Sequence, residues 1–280
     1  MPDLAGRTVV LSVSGGKDST ATGLYLQELG IPFQAVHMAT GWEHPDTDAY
    51  VRDYLPTVLG PITVLHGKHG GFADLVRHKG MFPSRVRRFC TQELKVFPIR
   101  DYLASLHAQG LDTVNAVGIR AAESKARSKL AEWEESETYD CLVWRPILAW
   151  TLEDVVAIHK RHGVVPNPLY LRGAERVGCW PCIFARKSEI RMVADKDPWR
   201  VDEIRVLEAE VGATLFQDPR TRSGGSGCPI DSVVEWSRTN RKGEFEPFAP
   251  TDGDEGCLRW GLCEAPTPAE VRRDLPLFRP

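Results

Sequence analysis

Ser14-Gly15-Gly16-Lys17-Asp18-Ser19 has the residue types of a phosphate cradle. Two glycines let the backbone approach a ligand closely, Lys17 adds a mobile cation, and Ser19 or Thr20 adds a hydroxyl. A helix starting there would add free N–H groups and the positive end of its dipole. A second constellation is Gly178-Cys179-Trp180-Pro181-Cys182, whose two thiolates can bite one metal ion or two corners of a cluster. That spacing leaves zinc, iron–sulfur and a redox disulfide open. The zinc reading lacks a second close Cys or His pair, and no βαβ context suggests a thioredoxin-like motif. Arg120 and Arg127, seven apart, share a face if helical, and their forks could hold a phosphate or sulfate. A surface ion-pair role is the plainer alternative.

Positioning these residues requires elements, and hydrophobic periodicity predicts them. Strands are expected at Thr8–Val13, Phe33–His37, Ile62–Leu65, Thr113–Gly118 and Leu142–Pro146, and helices at Ser19–Leu29, Asp46–Leu55, Lys95–Gln109 and Leu152–Arg161. Thr151, followed three residues later by Asp154, reads as a helix N-cap. Strands alternating with helices predict an α/β fold with a doubly wound parallel sheet, ligands lying beyond the carboxyl ends of its strands. After Pro166-Asn167-Pro168 the pattern degrades. A helical stretch near Val201–Val211, a flexible Gly224–Gly227 turn and an aperiodic tail with Trp236, Trp260 and three cysteines predict an irregular C-terminal appendage. The expected division is a main α/β domain over 1–190, carrying the glycine-rich run and the Cys179–Cys182 pair, and an appendage over 191–280.

Composition bounds the class. The chain has 280 residues, 42% hydrophobic and 26% charged, and a net charge of −3, which gives no general case for nucleic-acid or membrane binding. No apolar run approaches a membrane span and the N-terminus does not open a signal peptide, so a cytoplasmic protein is expected. Seven cysteines (90, 141, 179, 182, 228, 257, 263), an odd set without regular spacing, suggest metal or redox chemistry in a reducing compartment. Cys141, at a predicted strand start, reads as a small buried hydrophobe. Eight Lys/Arg between Lys68 and Arg100 face only Asp74 and Glu93, which suits anion binding or a solvated face. The acidic run Glu132–Asp140 reads as a solvated loop or helix face.

The glycine-rich run is not the common P-loop, which needs Gly four residues before its Gly-Lys pair and Ser or Thr after Lys; here those positions hold Leu11 and Asp18. It resembles the SGGKDS signature of the PP-loop ATP pyrophosphatases, which split ATP between the α and β phosphates. The resemblance extends in order along the chain. Arg88-Phe89-Cys90 through Lys95-Val96-Phe97-Pro98, Thr40-Gly41-Trp42-Glu43-His44-Pro45-Asp46-Thr47, and Gly118-Ile119-Arg120 with Ser124 and Arg127 are similar to segments of the phosphoadenylyl- and adenylyl-sulfate reductases. Trp144–Ile147, Asn167–Tyr170 and Gly178–Cys182 continue it across residues 8–190.

This resemblance implies an adenine-nucleotide site for ATP, PAPS or APS. It would be formed by Ser14, Gly15, Gly16, Lys17, Asp18, Ser19, Gly41, Gly118, Arg120 and Arg127, with Lys17, Asp18 and Arg120 catalytic and Asp18 either supporting Mg²⁺ or capping the helix. Lys95 is placed to contact phosphate or to start a helix; Trp42 and His44 to contact adenine or ribose, or to pack. A [4Fe–4S] cluster is implied on Cys90, Cys179 and Cys182. Phe89 stands where members with an adjacent cysteine pair have the first cysteine, so the fourth ligand is Cys263, then Cys257 or Cys228, or the site is open. The reductases' loop is often without the lysine, whereas this chain keeps the full run, which favours ATP. Their C-terminal catalytic cysteine is poorly matched by Gly261-Leu262-Cys263-Glu264.

The expected function is therefore ATP-dependent, adenylation-linked sulfur transfer. The alternatives are thioredoxin-dependent reduction of PAPS or APS to sulfite, and a non-catalytic nucleotide-binding or cluster-sensing protein. Implied partners are a sulfur or electron donor such as a cysteine desulfurase or thioredoxin, a nucleic-acid acceptor, and a second copy in a homodimer.

Overall fold

In the computed structural model the described residues are 4–217, 227–240 and Trp260. Cys257 and Cys263, the first two candidates for a fourth ligand, and Gly224–Ser226 lie outside them.

Six strands form the main sheet: β1 (Thr8–Ser12), β2 (Phe33–Ala39), β3 (Ile62–His66), β4 (Thr113–Val117), β5 (Trp133–Ser136) and β6 (Cys141–Trp144), in the order β3-β2-β1-β4-β6-β5. Every pairing is parallel except β5 with β6. The chain winds outward from β1 to β3, then returns to the other side of β1 as β4. The strand order thus reverses between β1 and β4, where a crevice opens at their carboxyl ends. Helix α1 (Lys17–Glu28) leaves β1 directly into that crevice.

Beyond β2, α2 (Pro45–Ala49) runs through a π-helical turn (Tyr50–Tyr54) into α3 (Leu55–Leu59). Helix α4 (Phe72–Lys79) follows β3; α5 (Phe89–Thr91) and a second π turn (Gln92–Val96) lead into α6 (Phe97–His107). Thr151 caps α7 (Leu152–Arg161) as its sequence predicts, Thr151 Oγ1 accepting the Asp154 N–H at 3.2 Å and Asp154 Oδ2 the Thr151 N–H at 2.8 Å. Short α8 (Pro168–Leu171) follows Asn167.

The acidic run differs from expectation. It forms the edge strand β5, because Trp133 stacks on Trp144 with ring centroids 4.7 Å apart and Glu134 pairs with Arg145 at 2.6 Å. The half-buried Cys141 starts β6. The region after residue 186 is more regular than its sequence suggests: α9 (Lys187–Lys196), α10 (Pro198–Val211) and α11 (Ile230–Ser237), with the small hairpin β7 (Phe216–Gln217) and β8 (Gly227–Cys228). Ile204, Leu207, Leu215 and Ile230 share one apolar cluster with Trp42, Phe72, Leu75 and Trp180. Periodicity along α10 is weak since polar Arg200 and Glu208 are also buried there, each hydrogen-bonded.

Candidate active site

The loop between β1 and α1 is braced from several sides. Gly15 has φ +74°, and a Cβ there would lie 2.8 Å from Val51 Cγ2. Only glycine suits that position. The Ser19 and Thr20 hydroxyls both donate to the Gly16 carbonyl, at 3.0 and 3.2 Å, and Ser19 Oγ accepts the Ser14 N–H at 3.1 Å. Both hydroxyls thus brace the loop, while Ser14 is exposed at its mouth. Asn167 Nδ2 donates to the Gly15 carbonyl at 3.1 Å and to Thr47 Oγ1 at 3.2 Å, and Asn167 Oδ1 caps α8.

The charged groups interlock. Lys17 Nζ lies 4.9 Å from the Tyr170 ring centre, donates to the Glu175 carbonyl at 3.3 Å and stands 3.6 Å from Asp18 Oδ2. Burial lowers the Lys17 pKa, and Asp18 offsets part of that shift. The Lys17 N–H donates to Tyr170 Oη at 3.1 Å, and burial raises the pKa of that phenol well above its ordinary value. Arg120 Nε donates to Asp18 Oδ1 at 2.5 Å. The Asp18 carboxylate therefore lies between the Lys17 and Arg120 side chains. A Cβ on Gly118 would lie 2.7 Å from the Asp18 carbonyl and the Ser19 backbone, which is why the end of β4 can approach α1 so closely.

Arg120 and Arg127 do not share a helical face. They belong to successive short turns, Ala121–Glu123 preceded by extended Arg120, and Arg127–Lys129. Arg120 faces Asp18, whereas Arg127 pairs with Glu123.

Two segments distant in sequence build the cysteine region. The Trp180 N–H donates to the Trp42 carbonyl at 2.7 Å, and Trp42 Nε1 donates to the Pro181 carbonyl at 3.2 Å. Thr40 Oγ1 lies 3.7 Å from Cys179 Sγ and donates to Glu43 Oε1 at 2.5 Å. Gly41, φ +62°, packs against Gly71, to whose Cα a Cβ would approach within 3.2 Å. Trp42 is fully buried and His44 contacts Asp197 Oδ1 at 3.2 Å, so both pack in the protein rather than face the nucleotide loop.

Cys90, Cys179 and Cys182 lie within one another's electrostatic influence; burial first, then the neighbouring sulfurs, raises the Cys90 thiol pKa. Burial also raises that of Cys179. Lys95 is drawn into the same region, its pKa raised chiefly by Cys179 with Glu43, Cys182 and Cys90 adding. Cys228 is buried in a different apolar cluster, with Ile190 and Val233. Among the described residues, no group of three or more His, Cys, Asp and Glu side chains stands in a metal-holding arrangement. Sequence reasoning passed over Tyr170, Asn167 and Glu43 as site members, although the Asn167-Pro168-Leu169-Tyr170 run was a usable signal.

The chain matches the phosphoadenosine phosphosulfate reductase domain over residues 8–185. It is 34% identical to the "Uncharacterized 37.8 kDa protein in gpa 5'region" of Escherichia phage 186, across 91% of this chain and 96% of that one. An adenosine 5'-phosphosulfate reductase of Burkholderia cepacia is 28% identical over 56% of this chain, which spans 62% of that enzyme. This chain also spans 44% of a Methanocaldococcus jannaschii protein with 30% identity. The phosphoadenylyl-sulfate reductase structure from Candida auris, in a phosphate complex, is 18% identical, with a TM-score of 0.48 over 61% of this chain and 81% of that one. With the domain match spanning well over half of the chain and the phage relative matching along nearly all of it, the chain belongs to the phosphoadenosine phosphosulfate reductase family.

Proposed function

We propose that this protein binds ATP at Ser14–Ser19 and uses it to adenylate an oxygen of an acceptor, preparing that position for sulfur. The acceptor oxygen attacks the α phosphorus, the bond to the bridging oxygen breaks, and pyrophosphate leaves. A sulfur nucleophile then displaces AMP, so a carbon–oxygen bond is exchanged for a carbon–sulfur bond. The observation that carries this reading is Lys17, an ammonium held largely buried at a helix start, its pKa lowered by that burial. Anionic phosphate would relieve that penalty and, with the first-turn N–H groups of α1, meet the charge developing on pyrophosphate.

The influence of Cys90, Cys179 and Cys182 on the buried Lys95 supports an anionic thiolate-held group in this region, although among the described residues the three side chains are not arranged to hold a metal. A [4Fe–4S] cluster bound by Cys90, Cys179 and Cys182, completed by Cys263, Cys257 or Cys228 or left open, would supply sulfur delivery or electron relay. Lys95 supplies the compensating charge and Thr40 a hydroxyl contact to Cys179.

The second reading is reduction of adenylated sulfate to sulfite, favoured by the family match and by the adenosine 5'-phosphosulfate reductases among the relatives. Anaerobically purified full-length protein, offered ATP and sulfonucleotide side by side, separates the two. Pyrophosphate release from ATP that is lost in Lys17→Ala supports ATP use. Sulfite release without ATP cleavage supports reduction, and nucleotide binding without turnover of either would reject both.

A further inference from the structure

The eight cations between Lys68 and Arg100 have different surroundings. Arg77 pairs with Asp74 and Glu210, Lys79 with Glu93, and Arg100 with Asp101. Lys95 lies among the sulfurs. Arg85, Arg87 and Arg88 are exposed and, among the described residues, have no carboxylate partner. They sit on one tight loop. The Ser84 N–H donates to the Arg87 carbonyl at 3.1 Å and the Arg87 N–H to Ser84 Oγ at 3.0 Å, which puts Arg85 and Val86 at the tip. Val86 is 93% exposed.

This charge borders the cysteine region. Arg85 and Arg88 lie over the Phe184 ring, 5.9 and 5.0 Å from its centre. Phe184 is two residues after Cys182, and Arg88 two before Cys90. Three neighbouring guanidiniums repel one another, and a polyanion would offset that repulsion.

We propose that the Ser84–Arg88 loop binds the backbone of a single-stranded nucleic acid and leads one of its bases to the cysteine region. That the base is the sulfur acceptor rests on the function proposed above. Guanidinium forks match phosphate oxygens in pairs. Stacking on Phe184 leaves a second guanidinium face for a base, and Val86 offers an apolar contact. An acidic polypeptide would use the charge but not these flat surfaces. A single strand is required because chemistry on a base needs it out of the duplex stack.

Fluorescence anisotropy of full-length protein with labelled twenty-nucleotide single-stranded RNA and DNA, between 50 and 200 mM salt, tests this. Engagement of three phosphates predicts a slope of log K against log salt of about −2, at about 0.7 per phosphate. Arg85→Glu/Arg87→Glu should bind at least about tenfold more weakly, with a slope shallower by about 1.4, at an unchanged thermal midpoint. No binding at 50 mM salt, unchanged binding by the variant, or equal competition by polyglutamate or by duplex would overturn the proposal. Pyrophosphate release from ATP is measured in parallel on the wild type. Strand binding that depends on the arginines in a protein that does not cleave ATP supports this surface while rejecting the function above.

Discussion

Arg120 Nε and Asp18 Oδ1 meet at 2.5 Å, joining the segment after β4 to the first turn of α1 across the point where the strand order reverses. Both residues are buried, so each offsets the other's loss of solvent. Arg120→Ala should cost about 3 kcal/mol in urea unfolding, since it strands a buried carboxylate with only Lys17 nearby. Arg120→Met with Asp18→Leu should cost less than the two single changes summed. A loss below about 1 kcal/mol for Arg120→Ala would show the pair to be incidental.

Gly118→Ala is expected to be more damaging than its size suggests. The added carbon meets Asp18 and Ser19 backbone at 2.7 Å, and neither atom can rotate away. A cost of about 3 kcal/mol with weakened nucleotide binding is expected from denaturation and equilibrium dialysis. Wild-type stability in this variant would contradict the close packing.

Asn167 can be dissected by two substitutions. Asn167→Ala removes the α8 cap and the support to Gly15, at about 2 kcal/mol. Asn167→Asp keeps the capping oxygen but loses the donor to the Gly15 carbonyl. It should retain more stability while still weakening ATP binding. Equal nucleotide affinity in Asn167→Asp and wild type would remove Asn167 from the loop's support.

His159 gives stability a pH dependence. It is buried against the Trp260 ring at 5.0 Å, and burial holds its pKa down to about 4, against 6.5 for the free side chain. The unfolded chain therefore takes up the proton first as pH falls. Its contribution is complete above about pH 6.5 and lost progressively down to about pH 4, with a span on the order of 3 kcal/mol. His159→Gln should flatten this part of the profile between pH 7 and 4.5, as read by chemical denaturation. An unchanged slope would assign the dependence to other groups.

The cysteines should divide by position. Cys90→Ala, Cys179→Ala and Cys182→Ala are each expected to lower iron and acid-labile sulfide severalfold after anaerobic purification. Cys141→Ala, on the far strand β6, should leave both unchanged. Equal iron in all four variants, or a zinc-containing colourless protein, would reject the cluster.

Much of this was legible in the chain itself. The apolar run Thr8–Val13 and the glycines after it determined strand, turn and helix because each is a local choice of backbone conformation. The same holds for the Thr151–Asp154 cap. The ordered motifs carried the family. Other features were hidden because their causes are not local. Strand β5 exists because Trp133 finds Trp144, and α10 buries Arg200 and Glu208 beside its apolar residues, which blurs its period. Trp42 is claimed by packing and Arg127 by Glu123, while Tyr170, 153 residues away, reaches Lys17. Sequence determined which chemical groups are available and the local structures that carry them. Tertiary structure decided which charges are neutralised and which stay open, because pairing depends on distance in space and on exclusion of water.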